Sequence, residues 1–387
     1  MSELVLGDSL ELLVDNRGKN PPFVPSGIPV LSAKAIKNSK IAFKEARYIS
    51  RETYQQWMPK PLRRDDVILT SEAPLGEVAL VTGDEPLAIA QRLYALRGKS
   101  GVLDSRYLYY ALQSDSVQAD LQNRASGTTV SGIRQPELLK VRIPNPGYEK
   151  QKVIAAVLGA LDDKIAISER IATTADTLAV ALFHRAMWSY PAGFTERPLS
   201  TTAEFVNGRA FTKGATGTGR MVVRIAEINS GPGASTVYNG IDVPERHLAK
   251  PGDVLFAWSG SLTVARWFRP EAIINQHIFK CVPKNGYPQW LISHLVHGKI
   301  DEFRAIAADK ATTMGHIQRK HLDEVVPVPD RDVLRILNAE IGPLWDRALL
   351  AEQENLTLAN LRDTLLPQLM SGRLRVKDAE KIVEDHT

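Results

Sequence analysis

The chain has 387 residues, of which 44% are hydrophobic and 24% charged, with 26 Gly and 23 Pro; that is enough for two or three domains with buried cores and is neither collagen-like nor disordered in composition. The single cysteine, Cys281, excludes an internal disulfide and a thiolate metal site and fits a reducing cytoplasm, while the lack of an apolar run near the roughly 18 to 20 residues of a membrane span, and the acids between Met1 and Val14, argue against membrane insertion and export. The net charge of +4 divides unevenly, at +3 over residues 1–148, zero over 149–197, +3 over 198–330 and −2 over 331–387, a layout that suits two surfaces each facing a polyanion.

In chain order, Val67-Ile68-Leu69-Thr70, Glu77 to Val81 and Leu87-Ala88-Ile89 are short β-favouring runs, punctuated by Pro74, Gly76, Gly83 and Pro86. A helix from Ser105 to Asn123 should follow, with Leu108, Leu112 and Leu121 on its apolar stripe. From Lys150 to Trp188 there is no Pro, and apolar residues recur at steps of three and four, including Ile154, Leu161, Ile165, Ala175 and Leu182. That spacing predicts one helix of about 58 Å, longer than a core helix needs to be. Strands at Met221 to Ile225, Val254 to Ala257 and Ile278 to Val282, then a helix from Pro288 to Ala308, repeat the first pattern. A second long helix is expected from Asp332 to Leu366, kinked at Pro343 and ended or bent at Pro367.

The halves of the chain resemble each other. Asp66 answers Asp253 at an offset of 187, Gln91 answers Gln276 at 185, Thr128-Thr129 to Ile133 answer Thr312-Thr313 to Ile317 at 184, and Leu161 answers Leu344 at 183. Four matches in unbroken order with near-constant spacing indicate duplication. The expected fold is therefore α/β (α+β): two globular domains, 1–148 and 196–330, separated by two long helical segments, 149–195 and 331–387. An internal pseudo-twofold would pack these helices as an antiparallel coiled coil.

Sequences that imitate catalytic motifs fail on context. Asn20-Pro21-Pro22-Phe23 has the form of an amino-methyltransferase loop, but only nineteen residues precede it, too few for the strand and glycine-rich loop that chemistry needs. Gly98-Lys99-Ser100 ends like a phosphate loop, yet Leu93 stands where its first Gly belongs. Gly231-Pro232-Gly233 reads as a turn, and Trp258-Ser259-Gly260-Ser261 has the wrong order for a nucleophile elbow. No two His form a helical ligand pair with acids nearby, and taken singly His277, His316 and His321 fit a polar surface better than a phosphate contact. No cofactor is expected.

What recurs is a polar loop after the helix of each half, Ser126 to Arg134 and Lys310 to Lys320. Hydroxyls and amides around Thr128, Thr129, Thr312 and Thr313 suit phosphate oxygens, while Arg134, His316 and Gln318 can reach base edges. Capping of the preceding helix is the competing explanation for either loop alone.

Leu6-Gly7-Asp8-Ser9 with Val14 to Pro22, Ala203 to Phe211, and Leu365-Leu366-Pro367-Gln368-Leu369-Met370-Ser371-Gly372-Arg373-Leu374 are similar to the openings of the two target-recognition domains, and to the close of the second spacer helix, in specificity subunits of type I restriction-modification enzymes. Leu182 to Trp188 lacks the Pro and Ser-Gly of that closing motif. The resemblance implies a non-catalytic cytoplasmic subunit in which each domain reads one half of a split double-stranded DNA target. It also implies two methyltransferase subunits docked on the helices, restriction subunits in the same complex, and no membrane. On that basis Arg92 and His277 join the candidate DNA contacts, and Leu161 and Leu365 are expected at the partner interface. A stand-alone two-headed DNA-binding regulator and an enzyme acting on DNA unaided remain as alternatives.

Overall fold

The computed structural model describes residues 2–16, 18–127, 130–309 and 315–385. The chain divides into two compact units, one formed by Met1–Lys164 with Leu358–Thr387 and the other by Ile165–Thr357.

In the first unit the run Val67–Thr70 is buried at every position, as a continuous apolar strand must be when both faces of its sheet are covered. It lies in an antiparallel sheet with the order Leu10–Asp15, Leu93–Gly98, Val67–Thr70, Val78–Leu80. The helix Ser105–Gln113 packs on this sheet. Leu12, Ile68, Ala79 and Ala95 of the sheet share one core with Val30, Leu31 and Ile89, from a smaller sheet ordered Arg47–Ile49, Ile28–Leu31, Ala88–Ile89.

The second unit repeats the plan. Its larger sheet runs Ala203–Asn207, Ile278–Pro283, Val254–Ala257, Thr263–Arg266, and the helix Gln289–Asp309 packs on it. Its smaller sheet, Val237–Asn239, Arg220–Val223, Ala272–Ile274, Leu248–Ala249, has one strand more. In both smaller sheets the shared inner pair is parallel, Val30 beside Ala88 and Val222 beside Ile273. The duplication extends to single atoms. Asp66 accepts from the Arg63 N–H at 2.8 Å and from Arg97 on the neighbouring strand, and Asp253 accepts from the Lys250 N–H at 2.7 Å and pairs with Lys280 at 2.7 Å.

Both long helices form, as Tyr148–Ser189 and Arg331–Met370. Within the second unit, Ala172 and Ala175 meet Ala348 and Ala351 in a buried seam, small side chains that let two backbones approach closely. Ser168 bonds Glu354 at 3.3 Å and Arg185 bonds Glu340 at 2.9 Å; numbers rise along one helix as they fall along the other, so the pair is antiparallel. In the first unit, Arg362 reaches Asp162 at 2.8 Å.

Four expectations need correction. The helix from Ser105 to Asn123 is two, Ser105–Gln113 and Asp115–Asn123. Ser114 between them is extended, and its N–H and hydroxyl both donate to the Ala111 carbonyl, at 3.1 and 2.6 Å, a local bond that competes with the helical ladder. The strand expected through Ile225 stops at Val223, and a short helix, Ile225–Ser230, follows, begun by the Glu227 carboxylate accepting from the Arg224 N–H. Pro367 does not end the second long helix, which runs one more turn to Met370 and stops before Gly372 at φ +71°. Finally, Leu161 and Leu365 are 0% and 2% exposed inside the first unit. Both are covered by this chain itself, so a partner could not reach them without a change in its packing.

Candidate nucleic-acid interface

In each unit three segments are tied together at one end of the larger sheet. In the first, Ser71 follows the strand Val67–Thr70 and donates to the carbonyl of Arg92, at 2.9 Å, while its own carbonyl accepts from the Ile133 N–H at 2.9 Å. In the second, Trp258 follows Val254–Ala257, donates to the His277 carbonyl at 3.1 Å, and accepts from Ile317 at 3.1 Å. The frame is the same, and the sequence offsets of 187, 185 and 184 are those of the repeat. Arg92 and His277 both take the left-handed conformation, at φ +65° and +73°, an uncommon choice for non-glycine residues. It turns the chain sharply into the strands Leu93–Gly98 and Ile278–Pro283.

The side chains carried by this frame are exposed, and they differ between the units. Arg92 is exposed and pairs through Nε with the Glu72 carboxylate at 3.0 Å. Arg134, next to the anchored Ile133, stands exposed at the head of the short helix Gln135–Leu138. In the second unit His277 and Gln318 hold those places, and Gln318 heads the short helix Arg319–Asp323. His316 is exposed beside them, bridged to Ser259. Thr128, Thr129, Thr312 and Thr313 lie outside the described residues. Around the first pair, Ser126 and Gly132 exchange backbone bonds at 2.9 and 3.0 Å. A Cβ on Gly132 would stand 2.9 Å from Glu72 Cβ and 3.1 Å from the Ser71 carbonyl, so this close approach requires glycine.

Sequence reasoning missed two residues of this surface. Trp258 was weighed only as part of a nucleophile motif. Its ring lies 5.1 Å from His277 and 6.3 Å from His316, centroid to centroid, and its indole N–H donates to Asn207 at 2.9 Å, so one fixed indole sets the place of two imidazoles. Glu72, the partner of Arg92, is the other. The repeat offset of 187 pairs Ser71-Glu72 with Trp258-Ser259 and would have found both.

The competing motifs have ordinary roles. Phe23 of the Asn20-Pro21-Pro22-Phe23 loop is covered by the Arg47 guanidinium 3.5 Å above its ring. Gly231 ends a helix at φ +75°. Among the described residues, no group of His, Cys, Asp and Glu could hold a metal ion, and no helix is long and apolar enough to cross a membrane.

Residues 18–175 match the family model described as the type I restriction modification DNA specificity domain. The likeness continues beyond it. The MjaIX specificity subunit of a type I restriction enzyme from Methanocaldococcus jannaschii is 23% identical over 91% of this chain and 88% of its own length. The MjaVIII specificity subunit of the same organism is 27% identical over 39% of this chain and 37% of its own. The crystal structure of a type I restriction-modification S subunit from M. genitalium superposes with a TM-score of 0.60, at 16% identity and 95% coverage of both chains, which establishes a shared fold. The mixed helix and strand architecture of this chain, with its two long helices, is thus a fold it shares with that S subunit.

Proposed function

We propose that the chain is the non-catalytic DNA-specificity subunit of a type I restriction-modification complex, and that each globular domain, 1–148 and 196–330, reads one half of a bipartite target. The observation that carries this reading is the duplicated frame, one backbone hydrogen-bond pattern that presents Arg92 and Arg134 in one unit and His277, His316 and Gln318 in the other. A fixed frame with exchanged donors and acceptors is what reading two different half-sites requires. Lysine and arginine contacts to phosphate supply most of the affinity, and a few base-edge contacts supply the discrimination. The long helical segments, 149–195 and 331–387, hold two methyltransferase subunits, and restriction subunits join them in the cytoplasm.

Methylome sequencing of cells carrying Arg134→Ala or Gln318→Ala tests this. Each variant should relax one position of the target, in opposite half-sites, at a cost of about 1 to 3 kcal/mol per lost base contact. Relaxation of the same half-site by both would refute one domain per half. Uniformly weaker modification of all sites would reassign the residue to phosphate.

A further inference from the structure

The duplicated units also differ on the helix that packs on each larger sheet. In the first, Tyr109 and Tyr110 lie buried on the helix Ser105–Gln113, edge to face at 4.9 Å. The Tyr110 hydroxyl donates to one oxygen of Asp162 at 2.7 Å, and Arg362 donates to the other at 2.8 Å. Phenol, carboxylate and guanidinium thus form a closed set. Burial, with the Asp162 carboxylate beside it, pushes the Tyr110 hydroxyl up and keeps it a donor.

At the repeat offset of 184 the two tyrosines become Ser293 and His294. The second unit has an arginine–carboxylate set of its own, built from other positions, since the repeat puts Trp345 in the place of Asp162: Arg266 donates to Glu352 at 2.8 Å and to both oxygens of Asp176 at 3.1 and 3.2 Å. The phenols are gone, and in their region is a cavity of about 500 Å³ whose walls include Arg266, Trp290, Ser293, His294, Trp345 and Glu352. Each carboxylate here has acceptor capacity beyond its bonds to Arg266. The walls are aromatic, and at the mouth Val180 is 44% exposed, an apolar rim facing solvent.

We propose that this cavity is a seat for a phenol ring, filled by a tyrosine side chain of a docking protein subunit. The first unit shows the ligand chemistry, because it fills the corresponding region with its own tyrosine against a carboxylate already held by arginine. An incoming ring would pack against Trp290 and Trp345 and donate its hydroxyl to the Glu352 or Asp176 carboxylate. Burial, with His184 and His297 adding to it, pushes His294 down to about 4, so this wall is uncharged at neutral pH and suits a neutral ring. The identity of the docking subunit rests on the function proposed above, whereas the chemistry of the seat does not.

Saturation-transfer NMR on the full chain with p-cresol, the tyrosine side chain as a free molecule, tests the seat directly. Wild type should show saturable transfer to the ring, with toluene binding several-fold more weakly for want of the hydroxyl. Filling the cavity as the first unit does, with the pair Ser293→Tyr and His294→Tyr, should abolish transfer. Val180→Trp, at the exposed mouth, should do the same without touching the core. The same variants should weaken co-purification of the methyltransferase subunits by about tenfold or more, as expected when a buried aromatic anchor is lost. Absence of p-cresol binding, equal binding of toluene, or unchanged co-purification with Val180→Trp would each overturn the proposal. Failure of the specificity reading would show separately, in the methylomes of Arg134→Ala and Gln318→Ala.

Discussion

Arg266 is the side chain on which the second unit most depends. It is 4% exposed, holds Asp176 and Glu352, and lies with its guanidinium 4.4 Å from the Trp345 ring centroid. Arg266→Ala strands Glu352, whose pKa burial already raises, and should destabilise this unit by about 3 kcal/mol; Arg266→Met, which keeps the packing, should also lose the charge but leave a smaller cavity and cost less. Thermal unfolding followed by tryptophan fluorescence would separate the two. His294 makes the unit sensitive to acid. Its folded imidazole resists protonation until about pH 4, against an ordinary value of 6.5, so the unfolded chain binds the extra proton between these values. Stability is therefore full above pH 6.5 and falls toward pH 4, by about 1 kcal/mol per unit at most. His294→Gln should flatten that part of the Tm profile; an unchanged slope would show that other groups set it. None of this was legible in the sequence, because Arg266 finds its acids 90 residues before it and 86 after it, and no local pattern reports such a meeting.

At the level of elements, the sequence was legible wherever a signal was periodic or repeated. The three-and-four stripe marks both long helices to within a few residues, and the match of Asp66 with Asp253 fixes equivalent turns whose hydrogen bonds agree. Reading failed where one side chain decides the backbone. Ser114 breaks a helix by bonding Ala111, and Glu227 starts one by capping Arg224; each is a single polar atom inside a stretch whose apolar pattern says otherwise. The loops are legible from the repeat, and its offset of 187 also marks the positions of Trp258 and Glu72, but their contacts to His277, His316 and Arg92 come only from the fold. Leu161 and Leu365 both lie on the long helices, and neither apolar spacing nor a resemblance can tell a residue covered by its own chain from one awaiting a partner.

On the scale of the whole molecule, the docking proposed above would fall to what the helices leave uncovered. Ile167 and Leu350 are 54% and 50% exposed on the two long helices. Ile167→Asp and Leu350→Asp should leave the circular dichroism melt unchanged and abolish co-purification of methyltransferase subunits. Leu161→Asp should instead lower the melt of the first unit by several degrees, since a buried, unpaired carboxylate is costly. If Leu161→Asp melted like wild type while the two surface variants misfolded, the assignment of core and docking face would be reversed.

The bonds that join Ser71 to Arg92 and Ile133, and Trp258 to His277 and Ile317, are all between backbone atoms. Mutation at the displayed positions therefore leaves the scaffold's hydrogen bonds in place, and at Arg134, His316 and Gln318, which unlike Arg92 and His277 are not left-handed, surface substitutions ordinarily change stability by no more than about 0.5 kcal/mol. Under the function proposed above, fitness costs from misfolding and fitness gains from a new target would thereby be separated in each half of the gene. Lineages would drift through target sequences one half at a time, and selection by invading DNA would act on the reader without first having to rescue the fold.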